Sequence, residues 1–560
     1  RGYDRATFRS DLLAGLTTAV MLIPQAMGYA MLAGLPPIIG LYASLLPLVV
    51  YALFGTSRQL AVGPVAMVSL LVAAGVGAVA EPGSSSFVAY AIMLSLGVGI
   101  IQTGMGLLRL GFLVNFLSHP VISGFTSAAA LIIGFSQLKH VLGVDIARSH
   151  HIHTILLSAI QRASEIHLVT LAIGLGALIA LVALKRFAPM FPRALAVVVA
   201  STLLVWGLDL HESGVGIVGA VPEGLPSLAL PAFDFTVMKE LLPVALTISL
   251  VGFMESIAVA KRYARDNRYE VDANRELIGL GLANVAGAFS QAYPVTGGFS
   301  RTAVNAQAGA KTGVAAIITA VAVGVTLLLL TPLFYFLPKA VLAAIILAAV
   351  FGLIDVAEVA HLWKVKRSDL LALVVTFVAT LSLGIEQGIA VGVAVSLLTL
   401  VLRTTRPHVA ELGRLPGTGH YRNVDRFPEA EREPGVLALR LDAQIYFGNV
   451  NFLKERLDEL EARRDEPLKV VVIDASGVNQ VDASAEVAFR EILDGYRRRG
   501  IALRLANVKG PVRDVFARSG FTDEIGPEAF FMSVEDAIDA VTDPSASAAA
   551  PVSSGSRQAA

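Results

Sequence analysis

The chain interrupts its apolar segments in a matching way at two places, SRQLAVGPVAMVSLL at 57–71 and QAYPVTGGFSRTAVN at 291–305. In each, extended residues run into a Gly/Pro break, and a short apolar helix is predicted to follow. Non-helical backbone at the depth of a bilayer is tolerated only where it is buried in protein or lines a water-filled cavity. Paired breaks of this kind in the two halves of a membrane protein indicate a transporter binding site. The freed helix N-termini offer N–H donors and positive dipole ends, so the pattern predicts a secondary transporter for a small anion.

The composition fits a membrane domain followed by a soluble one. Of 560 residues, 55% are hydrophobic and 16% charged, whereas soluble domains average roughly 45–50% apolar and about 25% charged. Charged residues are sparse over 11–403 and dense over 403–543. The net charge of zero indicates no nucleic-acid partner, and the absence of cysteine excludes disulfides and thiolate metal sites.

Apolar segments of about 20 residues predict a polytopic α-helical membrane protein of about fourteen spans, in two sets of seven. An odd half-count gives the second half the opposite orientation, so the halves are inverted repeats whose half-helices meet near the midplane. The extended pieces QLAV and YPVT are predicted to pair as a short buried strand pair. The predicted spans are 12–31, 37–54, 59–80 (broken), 87–109, 119–140, 166–185, 192–208, 238–260, 274–290, 293–309 (broken), 312–336, 339–355, 369–385 and 388–403.

The distribution of Lys and Arg among the connecting loops predicts that both ends of the transmembrane domain, 1–406, lie in the cytoplasm. Repeat one covers about 11–210 and repeat two about 236–403. We expect a multi-pass protein of the inner (plasma) membrane. The amphipathic segment 355–369 is expected to lie along the cytoplasmic interface of the lipid bilayer.

The sequence after residue 406 predicts a linker at 407–432, a small α/β domain at 433–542 and a disordered tail at 543–560. Within the domain, strands alternate with helices, which is typical of an α/β fold. Strands are predicted within 436–447, 469–476 and 501–508, and helices within 449–466, 483–500 and 511–520.

Several long motifs resemble the SulP family of anion transporters (sulfate permeases, solute carrier family 26). They are DLLAGLTTAVMLIPQAMGYAMLAGLPPIIGLYASLLP, FGTSRQLAVGPVAMVSLL, FMESIAVAKRYA at 253–264 and PVTGGFSRTAVNAQAGAKTG at 294–313. VVIDASGVNQVDASA at 471–485 resembles the STAS domain of the same family. The resemblance implies seven-plus-seven inverted repeats split into core and gate domains, a homodimer, and transport of sulfate, bicarbonate, chloride, oxalate or dicarboxylates. It implies neither an enzyme nor a cofactor.

The first half-helix opens at Gly63, Pro64, Val65 and Ala66. An ordinary proline kink is the alternative explanation, but the matching break in the second half favours a binding site. The resemblance implies an aromatic residue at the position of Val65, so this departure is expected to widen the site.

The first span contributes Gln25 and, one turn later, Tyr29, both of which can supply neutral hydrogen bonds to an anion. A polar side chain in a span can equally bond another helix.

The second half-helix opens at Gly298, Phe299, Ser300 and Arg301. Arg301 is a charged residue inside a span, where a charge is energetically unfavourable unless it is paired or lies in a cavity. We expect it to add positive potential beside the anion, the alternative being a fixed partner for Glu255. Ser300 is expected to donate a hydrogen bond to the anion, unless it is only the N-cap of the helix.

Glu255 is the one acid predicted well inside the eighth span, and we expect it to be the coupling residue. Burial favours the neutral form of a carboxyl and a neighbouring arginine favours the ionised form. A carboxyl balanced between the two can carry a proton, whereas a permanent ion pair with Arg301 would be purely structural.

Remaining polar motifs give weaker indications. The resemblance places Asp482 and Ser484 at the loop that is phosphorylated in anti-sigma-factor antagonists, and we expect a structural or regulatory docking role for them. The cluster His150, His151 and His153 lacks metal-ligand spacing, so no metal site is predicted.

Together these observations predict a proton-coupled symporter for a small anion such as sulfate, bicarbonate or a dicarboxylate like fumarate. An anion exchanger or uncoupled channel on the same scaffold is the main alternative. A nucleobase transporter and an anion sensor are two others. The nucleobase transporter is disfavoured because the second half-helix carries Arg301 in place of an acid.

Overall fold

The computed structural model describes residues 3–112, 118–146, 152–188, 193–464 and 466–542. The chain divides into two compact units, Arg1–Ser396 and Leu397–Ala560. The tail predicted at 543–560 lies outside the described residues, as do His150 and His151 of the histidine cluster.

The first unit is built from helices, with one pair of very short strands among them. Over the described residues, the elements up to residue 405 are α1 Arg5–Ala33, α2 Pro37–Tyr42, α3 Leu46–Phe54, β1 Val62–Gly63, α4 Ala66–Gly77, α5 Ser85–Leu107, α6 His119–Ser136, α7 Leu138–Leu142, α8 Ile152–Gln161, α9 Leu168–Phe187, α10 Arg193–Gly207, α11 Phe235–Asp266, α12 Ala273–Phe289, β2 Thr296–Gly297, α13 Phe299–Gln307, α14 Val314–Leu329, α15 Lys339–Val350, α16 Val356–Val365, α17 Arg367–Leu383 and α18 Ile385–Thr405.

The helices agree with the predicted apolar segments, including both breaks. Within the described residues, seven helices are long and apolar enough to cross a membrane. Four shorter apolar helices accompany them, among them α4, which follows the first break. The number of fourteen spans stays a prediction.

Helix packing repeats between the two halves. Helix α1 packs on α4 and α13, and α11 packs on the same two helices. Likewise α5 packs on α12 as α14 packs on α3, and α6 packs on α17 as α9 packs on α15. This exchange of partners is what two related repeats produce. These contacts divide the helices into a first bundle, α1–α5 with α11–α14, and a second bundle, α6–α10 with α15 and α17.

The two breaks meet in an antiparallel strand pair, as QLAV and YPVT predict. Val62 pairs with Gly297, and Gly63 pairs with Thr296. All four residues are buried. Because each strand hydrogen-bonds the other, extended backbone is satisfied at a depth where water is scarce.

Two buried carboxylates hold the loops at the outer ends of the broken segments. Asp11 on α1 accepts from the N–H groups of Lys311 at 2.7 Å and Thr312 at 3.1 Å. Glu276 on α12 accepts from Thr56 N at 2.5 Å and from the Tyr51 hydroxyl at 2.6 Å. Neither carboxylate is exposed. Among the described residues, each is stabilised by several donors in place of a cationic side chain, which is how a buried acid avoids an uncompensated charge.

The second unit is a mixed sheet with helices on both faces, and its strand order is β4-β3-β5-β6-β7-β8. β5, β6, β7 and β8 run parallel, while β3 is antiparallel to β4 and β5. The elements are β3 Val409–Arg414, β4 Tyr421–Asn423, β5 Val436–Leu441, α19 Val450–Ala462, β6 Val470–Asp474, α20 Ala483–Arg498, β7 Ala502–Ala506, α21 Gly510–Arg518, α22 Phe521–Ile525, β8 Phe530–Phe531 and α23 Val534–Thr542.

Side chains alternate between the two faces of this sheet. Leu437 and Leu439 belong to the core that also contains Phe489 of α20, whereas Val436 and Ala438 belong to the core that contains Ile538 of α23.

The segment 407–432, predicted as a linker, contributes two strands to this sheet. In β3, Ala410 and Leu412 are buried, and so is Glu411 between them. Glu411 pairs with Arg432 at 2.9 Å and with Arg464 at 2.7 Å. The sequence prediction missed the strand because a charge in its middle breaks the apolar pattern, and the partners of that charge are distant in sequence.

Candidate anion-binding site

Two helix N-termini open on the strand pair. α4 begins at Ala66 with Val65 as its N-cap residue, and α13 begins at Phe299 with Gly298 as its N-cap residue. Neither helix has a side-chain N-cap hydrogen bond within the described residues. Since β1 and β2 are antiparallel, the helices leave the pair in opposite directions and their positive ends face one central region. The first-turn N–H groups there have no acceptor within their own helix and can donate to a ligand.

Hydrogen bonds with side chains of the second half, and one between the two backbones, fix the chain before each half-helix. Ala61 N donates to the Thr302 hydroxyl at 3.0 Å, and Gly298 N donates to Ala61 O at 3.1 Å. Asn284 of α12 accepts from Val295 N at 2.8 Å and donates to Val295 O at 3.0 Å. The geometry at the helix ends is therefore set by fully buried partners.

Helix α11 is tied to the second strand next to the predicted coupling residue. The Ser256 hydroxyl accepts from Gly297 N at 2.9 Å and lies 2.7 Å from the Thr296 hydroxyl. Thr296 in turn donates to Gly252 O at 2.6 Å. Ser256 is thus a structural residue that places α11, and with it Glu255, beside the site.

Arg301 is the largest fully buried side chain of the chain's described part, at 1% exposure. Its Nη1 donates to Pro64 O at 2.5 Å, which links the second half-helix to the break before the first. Its Nε and Nη2 have no hydrogen-bond partner among the described residues. A buried guanidinium with free donors is costly unless a ligand completes it.

Two predicted glycines make room for this guanidinium. A Cβ at Gly298 would lie 2.9 Å from Arg301 Nη2, and a Cβ at Gly63 would lie 3.2 Å from Nη1. Gly63 also has a φ of 151°, which side chains rarely adopt. Both glycines are needed so that backbone and guanidinium can approach closely.

The first span brings its two predicted residues onto a buried face of α1. Gln25 is 4% exposed and Tyr29 is 5% exposed. Gln25 Oε1 has no hydrogen-bond partner in the described part of the chain. Tyr29 interacts electrostatically with both Arg301 and Glu255, so the first span, the eighth span and the second half-helix converge.

Glu255 lies on α11 and is partly exposed. It interacts electrostatically with Arg301, yet no ion pair joins the two among the described side chains, and Arg301 bonds the Pro64 carbonyl instead. The permanent ion pair considered above as the structural alternative is therefore not formed in this conformation.

The openings of the two half-helices differ in exposure. Val65 and Ala66 are 6% and 7% exposed, whereas Phe299 is 45% exposed and Ser300 is exposed as well. Ser300 is in the first turn of α13 and is not its N-cap, which is Gly298. Ser300 is therefore an exposed first-turn residue, and the N-cap role considered as its alternative belongs to Gly298.

Several polar residues around the site were not predicted from the sequence. Tyr293 is fully buried, and its hydroxyl lies 2.9 Å from that of Ser69 on the first half-helix. Thr302, Asn305 and Asn284 bond the backbone of the breaks. Polar side chains within apolar spans are the signal that identifies such residues, although not their partners.

Comparison with known proteins identifies the family. The sulfate permease family matches residues 8–376, and the STAS domain matches residues 427–537. The chain belongs to the sulfate permease family. It is therefore a multi-pass membrane protein that transports anions, and it is not an enzyme.

Plant members of the family are similar over nearly the whole chain. Sulfate transporter 4.1, chloroplastic, of Arabidopsis thaliana is 44% identical over 550 residues, which are 95% of this chain and 80% of that protein. High affinity sulfate transporter 2 of Stylosanthes hamata is 37% identical over 562 residues, 96% of this chain and 84% of that protein.

Solved structures agree with the fold. The murine solute carrier 26 family member A9 anion transporter, in the inward-facing state, superposes with a TM-score of 0.89 at 25% identity, over 97% of this chain and 92% of that one. The transmembrane domain of a cyanobacterium bicarbonate transporter superposes with a TM-score of 0.61 at 24% identity, over 70% of this chain and 98% of that one. The predicted membrane fold with a C-terminal STAS domain is confirmed.

In the STAS domain, the predicted regulatory residues lie at the start of α20. Asp482 is the N-cap residue, and its carboxylate accepts from Ala485 N at 2.8 Å and from Phe447 N at 2.9 Å. Ser484 is exposed in the first turn. Asp482 thus has a structural role in capping, and Ser484 is accessible.

Proposed function

We propose that this chain is a proton-coupled symporter of sulfate that works by alternating access. Sulfate is the proposed substrate because the plant proteins similar to this chain are named sulfate transporters. The proposed site is supported by the buried Arg301 guanidinium, two of whose nitrogens have no hydrogen-bond partner among the described residues. Bicarbonate and dicarboxylates such as fumarate are the other anions to compare.

The proposed site matches a dianion in charge. Arg301 contributes one positive charge, and the two helix N-termini contribute about half a charge each, which makes roughly two in total. An oxyanion can accept hydrogen bonds from the first-turn N–H groups, from the Ser300 hydroxyl, and from Arg301 Nε and Nη2. Gln25 and Tyr29 supply neutral donors from the first span. The bound dianion would accept hydrogen bonds from donors that have no partner among the described residues.

Glu255 provides the proposed coupling. When Glu255 is ionised, its charge offsets that of Arg301 nearby, and the net positive charge of the site falls to about one. When Glu255 is protonated, the site regains about two positive charges and attracts a dianion more strongly. Proton and sulfate binding thereby favour each other, which is the thermodynamic requirement for symport.

The two helix bundles are the proposed moving parts. The first bundle carries both half-helices, Arg301 and Glu255, and the second packs beside it through contacts of α1 with α10 and α15. An elevator-like or rocking movement of one bundle against the other would expose the site alternately to each side.

The remaining parts of the proposal concern the whole protein. The Lys and Arg distribution supports a cytoplasmic location of the N-terminus and the STAS domain, and the plasma membrane is the proposed location. Family resemblance supports a homodimer. The exposed Ser484, next to the capping Asp482, is proposed as a regulatory docking position on the STAS domain.

The decisive experiment is uptake of labelled sulfate, bicarbonate and fumarate into proteoliposomes, with and without an inward proton gradient. We expect sulfate uptake to rise with the gradient. Glu255→Gln mimics the protonated carboxyl, so its uptake should no longer respond to the gradient. Glu240→Gln, an exposed acid on the same helix α11, should keep the response of the original protein.

Other outcomes lead to different conclusions. Sulfate flux that ignores the proton gradient in the original protein would favour an anion exchanger or uncoupled channel. Gradient-driven flux that is unchanged in Glu255→Gln would reduce Glu255 to a structural residue. Preference for bicarbonate or fumarate would replace sulfate as the substrate.

A further inference from the structure

Helix α16 presents an apolar face that other described residues leave uncovered. Val356, Val359 and Trp363 are 71%, 39% and 63% exposed, and they lie on one side of the helix because they are three and four positions apart. In α16 only Leu362 is buried. At 1.5 Å per residue the ten-residue helix is about 15 Å long, half of what is needed to cross a bilayer.

The surroundings of α16 indicate a position at the membrane surface. The helix connects α15 to α17, and it packs against α17. α17 itself exposes Leu371 at 63% and Val378 at 54%, as expected of a helix in contact with lipid. A short amphipathic helix packed against such an element is expected to lie along the interface, with its apolar side chains in the boundary region.

Three exposed cations follow the apolar face: Lys364, Lys366 and Arg367. The Arg367 guanidinium lies 5.5 Å from the centre of the Trp363 ring. None of the three forms an ion pair within the described part of the chain. Two acids at this helix already have other partners. Asp355, the N-cap residue of α16, accepts from Glu358 N at 2.9 Å, and Glu358 Oε1 lies 3.3 Å from His119 Nδ1.

We propose that Trp363, Lys364, Lys366 and Arg367 form a docking surface for anionic phospholipid headgroups. Tryptophan favours the interface, where its ring is in the apolar boundary and its N–H is wet. Lysine and arginine extend their charged ends towards the headgroups while their stems cover apolar surface. The negative potential of an anionic leaflet attracts such a cluster. This contact anchors the second helix bundle to the membrane, while the first bundle carries the proposed site.

The test uses the full-length chain in vesicles and exploits its two tryptophans, Trp206 and Trp363. In a Trp206→Phe protein, Trp363 is the sole tryptophan emitter, and lipids with brominated chains quench it on contact. We expect brominated phosphatidylglycerol to quench about twofold more strongly than brominated phosphatidylcholine at equal mole fraction. Salt at about 1 M should remove the difference, because the screening length falls to about 3 Å.

Matched variants separate charge from folding. Replacing Lys364, Lys366 and Arg367 together by Gln should abolish the preference for the anionic lipid. Lys364→Arg with Lys366→Arg keeps the charge and should keep the preference. Trp363→Phe leaves Trp206, exposed at the end of α10, and its quenching should not depend on headgroup charge.

Two results would overturn the proposal. Equal quenching of Trp363 by both lipids would mean that the surface contacts the membrane without recognising charge. Absence of quenching by either lipid, together with cross-linking between two copies of a Trp363→Cys protein, would mean that a second copy of the chain covers the face. The cross-link is unambiguous because the chain has no other cysteine.

Discussion

At the scale of single residues, Arg301 unites the two halves of the candidate site. One nitrogen of its guanidinium bonds the Pro64 carbonyl of the first break, and the other two have no described partner. Only a planar fork with several fixed donors can hold a backbone carbonyl and an anion at once, so lysine is not an equivalent replacement.

Gly298→Ala tests whether the position of this guanidinium matters for the anion. The new methyl group would lie 2.9 Å from Arg301 Nη2, so the side chain must move, at a cost of about 1–3 kcal/mol. We expect KM for sulfate to rise about tenfold or more, with a smaller loss of stability. Proteoliposome uptake over a range of sulfate concentrations measures this effect.

The control for this change is Gly77→Ala on α4, where an added methyl group has open space around it. It should leave KM unchanged. If both alanine variants behave alike, the guanidinium position is not limiting for anion binding.

At the scale of elements, the two breaks lack the internal backbone hydrogen bonds of a helix. A two-residue strand pair and a few polar side chains provide hydrogen bonds there instead. Thr302, on α13, accepts from Ala61 N, next to β1. Both residues are buried, at 0% and 4% exposure. A half-helix in one repeat therefore secures the break in the other.

Thr302→Val keeps the shape of the side chain and removes the oxygen that accepts from Ala61. The N–H group would be left buried and unpaired, which costs about 1–3 kcal/mol. We expect a lower thermal midpoint of the membrane unit in detergent, together with weaker sulfate uptake. Thr302→Ser retains the oxygen and should stay close to the original protein; equal behaviour of the two variants would show that the hydrogen bond contributes nothing.

At the scale of the whole molecule, the STAS unit has its own core and a carboxylate, Asp442, that makes its stability depend on pH. Hydrogen bonds from Arg440, and then from His408, lower the pKa of Asp442 below its usual value. A carboxyl with a lowered folded pKa stabilises the fold above its unfolded pKa of about 3.9, and this contribution is lost as pH falls through the folded pKa.

Asp442→Asn is therefore expected to lower the unfolding temperature of the STAS unit at neutral pH. The difference from the original protein should stay constant above about pH 5 and shrink at lower pH, since the carboxyl is then neutral in both states. Calorimetry of the full-length chain at several pH values measures it. Asp494→Asn, an exposed acid on α20, should show little change at any pH; a constant difference for Asp442→Asn down to the lowest pH would contradict the assignment.

Sequence reasoning found the paired breaks, because Gly and Pro inside apolar segments are local signals. It also named Glu255 as a possible fixed partner of Arg301, although no ion pair joins the two among the described side chains and Arg301 bonds the Pro64 carbonyl instead. It did not find that Arg301 bonds the Pro64 carbonyl, or that Thr302 and Asn284 support the breaks, since these contacts join residues far apart in sequence. β3 was missed for the same reason, because the buried charge of Glu411 is compensated by Arg432 and Arg464.

The strand pair also has a consequence for biosynthesis. Gly297 lies 235 residues after its partner Val62 (297 − 62 = 235), and ribosomes add about 5–20 residues per second. The first strand thus waits roughly ten seconds or more after its own synthesis before its partner exists. During that interval the N–H and C=O groups of the first strand lack their strand partner, and unpaired backbone groups are energetically unfavourable within a membrane. The nascent first half must be sheltered by other protein or by water until the second half has been inserted.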